Sequence, residues 1–422
     1  MTGQVLLLFL RLMKQKRLLV IGGGAAGFFC AVNAARLNPA LEVVIVERTE
    51  KVLQKVKVSG GGRCNVTHSC FDMEEMASRY PRGQRFVRKA FHQFFTTDTI
   101  EWFTSRGVAL KTENDGRMFP QTDSSQSIID CLMRELNLYK VQLLFKRTVE
   151  KIEPIDNCFH IHFLDGKMMD ADYVVLACGG SPKASQFDWL KNLDLKIADP
   201  VPSLFTFNFP NHPLNKLMGL SVPNAVIKIN GTKLSSQGPV LITHWGLSGP
   251  GILRLSAFAA RDLATVNYHF TTNINWCPVY NEQSFIQKLQ SLRALSANQK
   301  PINGNFTGLP ARLWDFLLQA SGIDDTKRWA DLSSAMTNKL AKQVCANEMK
   351  AEGKTTFKEE FVTAGGISLN EIDANTMMSK KHPNLFFGGE IMDVDGITGG
   401  YNFQHAWTSG YIAGKYIAEK AV

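Results

Sequence analysis

Short apolar runs and helically spaced stripes alternate along the chain. Arg17-Leu18-Leu19-Val20-Ile21 is a continuous apolar stretch that stops at the glycine-rich Gly22 to Gly27. A second run, Leu41-Glu42-Val43-Val44-Ile45-Val46, follows after Ala25 to Leu37, whose apolar residues recur at helical spacing. The pattern predicts strand, helix, strand, with the strands covered on both faces. Val174-Val175-Leu176-Ala177 has the same buried-strand character, and Leu385-Phe386-Phe387 near the other end reads likewise, before a helix predicted to begin near Tyr401 and Asn402. Phe86 to Leu144 is helical in pattern, with Trp102 and Phe103 assigned to its core, and Thr148 to Ile152 reads as a strand. The middle of the chain has a different texture. Pro200 to Phe207 and Ala225-Val226-Ile227-Lys228-Ile229 alternate as small β-structure does, whereas Glu282 to Lys342 spaces Leu, Ile, Phe and Trp as helices do.

Composition sets the class. A chain of 422 residues, 45% of them hydrophobic, is long enough for about two to three domains with substantial cores. Eight cysteines are scattered without a CxxC pair, several of them inside apolar runs, which suits a reducing, cytoplasmic setting. Val5 to Leu10 is apolar but too short to span a bilayer, and no small-residue cleavage site precedes the first strand. Residues 1–13 are therefore read as a dispensable extension with Met13 as the natural start, and no membrane insertion is expected. The net charge is +9, but the Lys and Arg residues are dispersed, which favours a solvated basic face over a nucleic-acid surface.

The turn after the first strand carries the first chemistry. Gly22, Gly24 and Gly27 occupy the three places where such a turn needs glycine: the bend, the closest approach to a pyrophosphate, and the packing of helix on strand. Glu47 ends the second strand, twenty residues past the last of these glycines, where a carboxylate can accept both hydroxyls of an adenosine ribose. A bound dinucleotide follows, either FAD or NAD(P). One strand later, Ser59-Gly60-Gly61-Gly62-Arg63-Cys64-Asn65 offers consecutive glycines in a basic loop, a surface whose N–H groups can approach a planar ring or a phosphate.

From about Lys16 onward the chain resembles the BaiN-like family of bacterial FAD-dependent oxidoreductases, relatives of fumarate-reductase-type flavoproteins. The resemblance is carried by GGGAAG at Gly22 to Gly27, SGGGRCN at Ser59 to Asn65, GRMFPQTD at Gly116 to Asp123 and VVLACGG at Val174 to Gly180. THWGLSGP at Thr243 to Pro250, TAGGI at Thr363 to Ile367 and FFGGEIMDVDGITGGYNFQHAW at Phe386 to Trp407 complete it. Two departures stand out: Gln54-Lys55-Val56-Lys57 replaces a glycine followed by two basic residues, and His68 stands where the family tends to have asparagine. The resemblance implies FAD held by Gly22, Gly24, Ala25, Ala26, Gly27, Glu47 and Arg48, by Ser59, Gly61, Gly62, Arg63, Cys64 and Asn65, and by Val149 against the adenine. It adds Ala177, Cys178, Gly179, Gly180, Gly389 and Glu390, the last toward the ribityl hydroxyls, and Gly399, Gly400, Tyr401 and Asn402 at a helix start that favours negative charge on a reduced flavin.

Flavin motifs at both ends of the chain imply an α/β, Rossmann-like FAD-binding domain assembled from 14–197 and 343–422. The insertion, 198–342, is expected to be a β-barrel-like unit followed by a helical piece, acting as a cap. With one GxGxxG fingerprint there is no separate nicotinamide domain, so NADH or NADPH is expected as a transient co-substrate reducing the flavin directly. The expected reaction is hydride transfer to an unsaturated or carbonyl-conjugated small molecule; an FAD-dependent RNA-modifying enzyme and a flavin-bound redox sensor are the alternatives. His244 in THWGLSGP is the candidate proton donor, and Arg63 and Cys64 are candidates to face the ring. No metal constellation is read, since His160 and His162 alternate on one strand without ligand partners.

Overall fold

The computed structural model describes residues 15–356 and 362–421; the expected extension at 1–13 lies outside the described residues. The chain divides into two compact units, Met1–Pro202 with Lys358–Val422, and Ser203–Phe357.

In the first unit, Arg17–Ile21 sits at the centre of a five-stranded sheet, flanked in parallel by Glu42–Val46 and Tyr173–Leu176. Leu385–Phe387 extends it beyond Tyr173–Leu176, and Gln142–Leu144 pairs with Glu42–Val46 at the other edge. Leu18, Leu19 and Val20 are fully buried, as parallel strands covered on both faces require. The helix Ala25–Leu37 follows the first strand, and the helix Tyr401–Lys420 closes the chain. These two helices pack so tightly that a Cβ on Gly410 would lie 2.6 Å from the Ala26 carbonyl oxygen, and one on Gly414 2.5 Å from that of Cys30. Trp407 fills the same seam: it is fully buried against Phe29 and Phe103, and its indole N–H donates to the Val66 carbonyl at 2.9 Å.

The stretch Phe86 to Leu144 is only partly helical. Helices Gln84–Phe91, Thr96–Thr104 and Gln126–Leu138 are present. Between them Leu110–Thr112 and Arg117–Pro120 form an antiparallel hairpin that Gly116 turns at φ 84°. Strands of three and four residues are too short for a period-two pattern to emerge from sequence. His160 and His162 lie on Cys158–Phe163, where cross-strand carboxylates meet them: His160 Nδ1 is 2.6 Å from Asp170, and His162 Nε2 is 3.2 Å from Glu153.

The second unit is built on a seven-stranded antiparallel sheet. At one end of its strand order Asn347–Glu352 pairs with His269–Asn275, and at the other Lys354–Thr355 pairs with Thr206–Asn208. These two end strands are one stretch of chain bent at Gly353 (φ 92°), so the sheet closes on itself. The Gly353 N–H donates to the Tyr268 carbonyl at 2.9 Å, and its carbonyl accepts from Asn208 at 3.2 Å. Helices Glu282–Leu295, Ala311–Ala320 and Ser334–Cys345 follow the strands. This unit ends later than the expected 342, because the closing strands come after the helices. It also starts later than 198: Ile197–Ser203 pairs with Val362–Ile367 in a two-stranded sheet. Among the described residues no helix is long and apolar enough to cross a membrane.

The glycine seam makes a prediction of sign. Alanine is favoured over glycine by about 1 kcal/mol in a helix interior, so Gly410→Ala would stabilise a loosely packed helix. Against the Ala26 carbonyl it should instead destabilise the first unit by about 1–3 kcal/mol. Urea unfolding measures this, and a neutral or stabilising result would disprove the close approach.

Candidate functional site

The glycine turn behaves as its spacing requires. Gly22 (φ 116°) passes the Ala177 carbonyl so closely that no Cβ fits, and a Cβ on Gly27 would collide with the Gly22 carbonyl oxygen. Gly24 is different: it caps the first helix without a side-chain hydrogen bond, and a Cβ there would meet only the Ala177 oxygen, at 4.0 Å. The helix therefore presents uncapped N–H groups to open space, the arrangement that receives a diphosphate. Glu47 stands beside it. Its Oε2 accepts the Gly23 N–H at 3.0 Å, and its Oε1 accepts the Thr49 N–H at 2.9 Å and hydroxyl at 3.0 Å. With three bonds to a group that offers about four acceptor positions, the carboxylate both braces the turn and keeps room for a further donor. Arg48 is exposed. The next strand passes close by, since the Arg147 N–H donates to the Glu47 carbonyl at 2.9 Å; Val149, half-buried, pairs with Phe163 on the neighbouring strand.

The triple-glycine loop is an interrupted helix end. Ser59 is extended (ψ 150°), Gly60, Gly61, Gly62 and Cys64 have φ of 59°, 70°, 85° and 61°, and a Cβ on Gly61 or Gly62 would meet nothing within 4 Å. The two side chains expected to do chemistry here are otherwise engaged. Arg63 is paired with Glu113 at 2.6 Å and Asp123 at 3.5 Å and lies 4.0 Å over the Phe119 ring. Cys64 is fully buried, and burial pushes its thiol up to about 12, so at neutral pH it is a packed, protonated group rather than a nucleophile. Both residues shape the loop.

The C-terminal motif folds onto this region. Glu390 pairs with Lys55 at 2.6 Å and accepts the Thr363 N–H at 2.8 Å. Gly180 lies against it, for a Cβ there would come within 2.6 Å of both Glu390 Oε1 and Thr363 Oγ1. Cys178 is exposed and Gly179 faces open space. Gly389 donates its N–H to Ser409 at 2.9 Å, and a Cβ on it would lie 3.0 Å from that of Ala26. Gly400 (φ 94°) starts the last helix without a side-chain cap, packed against the Thr67 carbonyl. With its amide turned to satisfy both partners, Asn65 accepts the Gly400 N–H at 2.9 Å and donates to Thr67 at 3.0 Å. Tyr401 is buried, stacked on His68 at 4.9 Å, and its carbonyl accepts the Tyr80 hydroxyl at 2.6 Å. Asn402, expected at the cofactor, spends its side chain on Gly396, accepting from the N–H at 2.8 Å and donating to the carbonyl at 2.9 Å. His244 is exposed in the second unit, on the tight turn where Thr243 and Gly246 bond each other, its ring 4.2 Å from that of Trp245.

Sequence reading did not single out Lys55, Thr363 or the pair of Arg82 and Asp395 as site residues. Asp395 is signalled only as a charge within an apolar motif, while Arg82 belongs to no quoted motif. His405 was also missed: it is 2% exposed, and burial, opposed in part by the Gly389 backbone, pushes its imidazole down to about 4.

The donor set fits a flavin dinucleotide. Two uncapped helix N-termini, open space above Gly61, Gly62 and Gly179, and the buried, unpartnered Thr363 hydroxyl beside Glu390 supply the positive ends and hydrogen-bonding groups that a diphosphate, a polyol chain and an electron-rich ring need.

Comparison with known proteins agrees. The family model described as the HI0933-like protein Rossmann domain matches residues 16–416. The chain is similar to a 3-dehydro-bile acid delta(4,6)-reductase of Clostridium scindens, 28% identical over 96% of this chain and 99% of that one. It is also similar to a ribosomal RNA dihydrouridine synthase of Escherichia coli, 30% identical over 93% of this chain and 96% of that one. Among solved structures, the 3-ketosteroid-delta4-(5alpha)-dehydrogenase of Rhodococcus jostii RHA1 shares the fold, with a TM-score of 0.50 at 13% identity over 96% of this chain and 97% of that one.

Two outcomes follow from this geometry. Charge-assisted hydrogen bonds are worth about 1.5–3 kcal/mol each, so Glu47→Ala should weaken FAD binding on the order of 10- to 1000-fold. Turnover at full occupancy should stay near wild type, and a fall in turnover with affinity unchanged would place Glu47 in the chemistry instead. His405 should make the protein acid-sensitive. Its folded value lies below the unfolded one of about 6.5, so the unfolded state takes up the proton first, and stability is lost as pH falls from about 6.5 toward 4. The loss attributable to this residue reaches about 3 kcal/mol at most. His405→Phe should flatten the pH profile of urea unfolding in that window, and an unchanged slope would rule His405 out as its source.

Proposed function

This chain belongs to the HI0933-like Rossmann family, a family of FAD-dependent flavoprotein oxidoreductases, and from that premise we propose that it reduces a carbon–carbon double bond conjugated to a carbonyl group. The observation that carries the reading is the pair of uncapped helix N-termini, at Gly24 and Gly400, brought into one unit from opposite ends of the chain. Bound FAD supplies hydride transfer in both directions. The chain's own work is to hold and polarise. Gly24 and the first helix neutralise the diphosphate, Glu47 and Glu390 accept hydroxyl donors, and the start of the last helix offers N–H groups and a positive dipole to negative charge on the ring.

NADH or NADPH is the proposed reductant, since a single dinucleotide fingerprint leaves the nicotinamide to visit rather than reside. The proposed acceptor is a small unsaturated compound, supported by the name of the Clostridium scindens relative, and His244 is the proposed source of the proton that accompanies the hydride. A second reading has a specific observation behind it: residues 203–357 carry fifteen Lys and Arg against eight Asp and Glu, so most of the net +9 sits in the inserted unit. That excess, with the name of the Escherichia coli relative, supports a uridine ring in RNA as acceptor; it is the same class of bond, conjugated to a ring carbonyl, on a polyanion.

The experiment is an anaerobic half-reaction series on the purified yellow protein. Denaturation should release all of the flavin as FAD, NADH or NADPH should bleach the native protein, and a conjugated enone or unmodified ribosomal RNA should restore the colour; a protein without flavin, or one reoxidised by neither, would refute the proposal. His244→Ala should leave FAD content and reduction unchanged while slowing reoxidation by the organic acceptor about 100-fold. Stopped-flow absorbance separates the two steps, and a wild-type rate in both would make His244 a surface residue.

A further inference from the structure

Between the last strand and the last helix the chain must cross from Phe387 to Gly400, and most of that segment is buried. Asp395 lies in its middle with a side chain that is 0% exposed, between Val394 and Gly396. A carboxylate there is costly unless paired. Its partner is Arg82, 12% exposed and distant in sequence, whose Nε donates to Oδ1 at 2.6 Å while Nη2 meets Oδ2, a two-pronged pair. The backbones of Arg82 and Asp395 also form an isolated antiparallel bridge.

Neighbouring contacts extend this hold toward the helix start. A Cβ on Gly83 would come within 2.7 Å of Val394, and the Ile397 N–H donates to the Arg79 carbonyl at 3.0 Å. Asn402 grips Gly396 from the helix side, and Asn65 meets Gly400. Stability alone does not call for a charged pair, because well-packed apolar residues in place of a buried ion pair are often neutral or stabilising. A bidentate fork does what apolar packing does not: it fixes direction as well as distance.

We propose that Arg82 and Asp395 are positioning residues which fix the Val394–Gly400 turn, and with it the start of the last helix, in the orientation that stabilises negative charge on the reduced flavin. This rests on the FAD reading above. The pair itself does not touch the reacting atoms. Its effect is on how favourably the reduced state is held relative to the oxidised one.

The test compares FAD-loaded wild type with Arg82→Lys, which keeps the charge but loses the fork, and with Arg82→Met/Asp395→Leu, which replaces the pair by apolar side chains. FAD content, thermal unfolding, the visible spectrum and the dye-equilibrated midpoint potential are measured for each. The apolar double variant should unfold within a few degrees of wild type and bind FAD. Its reduced state should be held about ten-fold less favourably relative to the oxidised one, which for a two-electron couple lowers the potential by about 30 mV, with an altered visible band. Arg82→Lys should shift the potential in the same direction, and it decides the matter if the double variant does not fold. Wild-type potential and spectrum in a folded, FAD-loaded variant would overturn the inference and leave the FAD reading intact. Wild-type protein that binds no FAD would overturn both.

Discussion

The first unit depends on the closeness of its first and last helices. Gly410 and Gly414 let the backbone of Tyr401–Lys420 approach that of Ala25–Leu37 to a distance that a methyl group would obstruct. That approach sets the two helix starts in one fixed relation, so the positive ends at Gly24 and Gly400 are held in one unit although nearly the whole chain separates them in sequence. Such a site exists only once the C-terminal helix has docked. Its formation pays a large loop-closure entropy, and any ligand that bridges the two helix starts stabilises the closed form by mass action.

This architecture explains why side chains in the glycine-rich motifs face the protein. Recognition of a dinucleotide by backbone N–H groups and helix dipoles needs a backbone held in strained, left-handed conformations, and the neighbouring side chains hold it. Arg63 is locked by Glu113, Asp123 and Phe119; Cys64 is sealed in the core; Asn402 is bonded at two points to Gly396. Their removal would be felt first in the loop and the turn that they brace.

The sequence made legible whatever was local. The first strand, the helix Ala25–Leu37 and the glycine turn follow from a continuous apolar run, a 3.6-residue period and glycine spacing, each set within a few residues. The hairpin Leu110–Pro120 was not legible, because its strands are too short to establish a period. Nor was the end of the inserted unit: Asn347–Glu352 belongs to a sheet five of whose strands lie before three helices, and its closure turns on a single residue, Gly353. Side-chain pairing was the least visible of all. Nothing near Asp395 in sequence identifies Arg82, and nothing near Glu390 identifies Lys55, since the fold alone makes them neighbours. The same holds in reverse for Arg63 and Cys64, whose residue types suggested chemistry and whose surroundings, Glu113 and Asp123 for one and the core for the other, could not be read from their motif.

The electrostatics around the Gly400 turn have a common logic. Glu390 is matched by Lys55, Asp395 by Arg82, and Glu47 by the N–H groups of Gly23 and Thr49. Glu390 and Asp395 are each balanced by a cation of their own, whereas Glu47 keeps its charge and is held by neutral donors. Beside them lies the partial positive charge at two helix N-termini whose cap residues are glycines, without a capping side chain of their own. A site organised in this way favours anions by default; in the arrangement proposed above, the diphosphate would sit permanently at one helix, and at the other a ring that becomes negative only on reduction. Differential stabilisation of that kind, absent in the oxidised state and present in the reduced one, sets a redox potential, and it requires that the second helix start be held still while the charge on the ring changes.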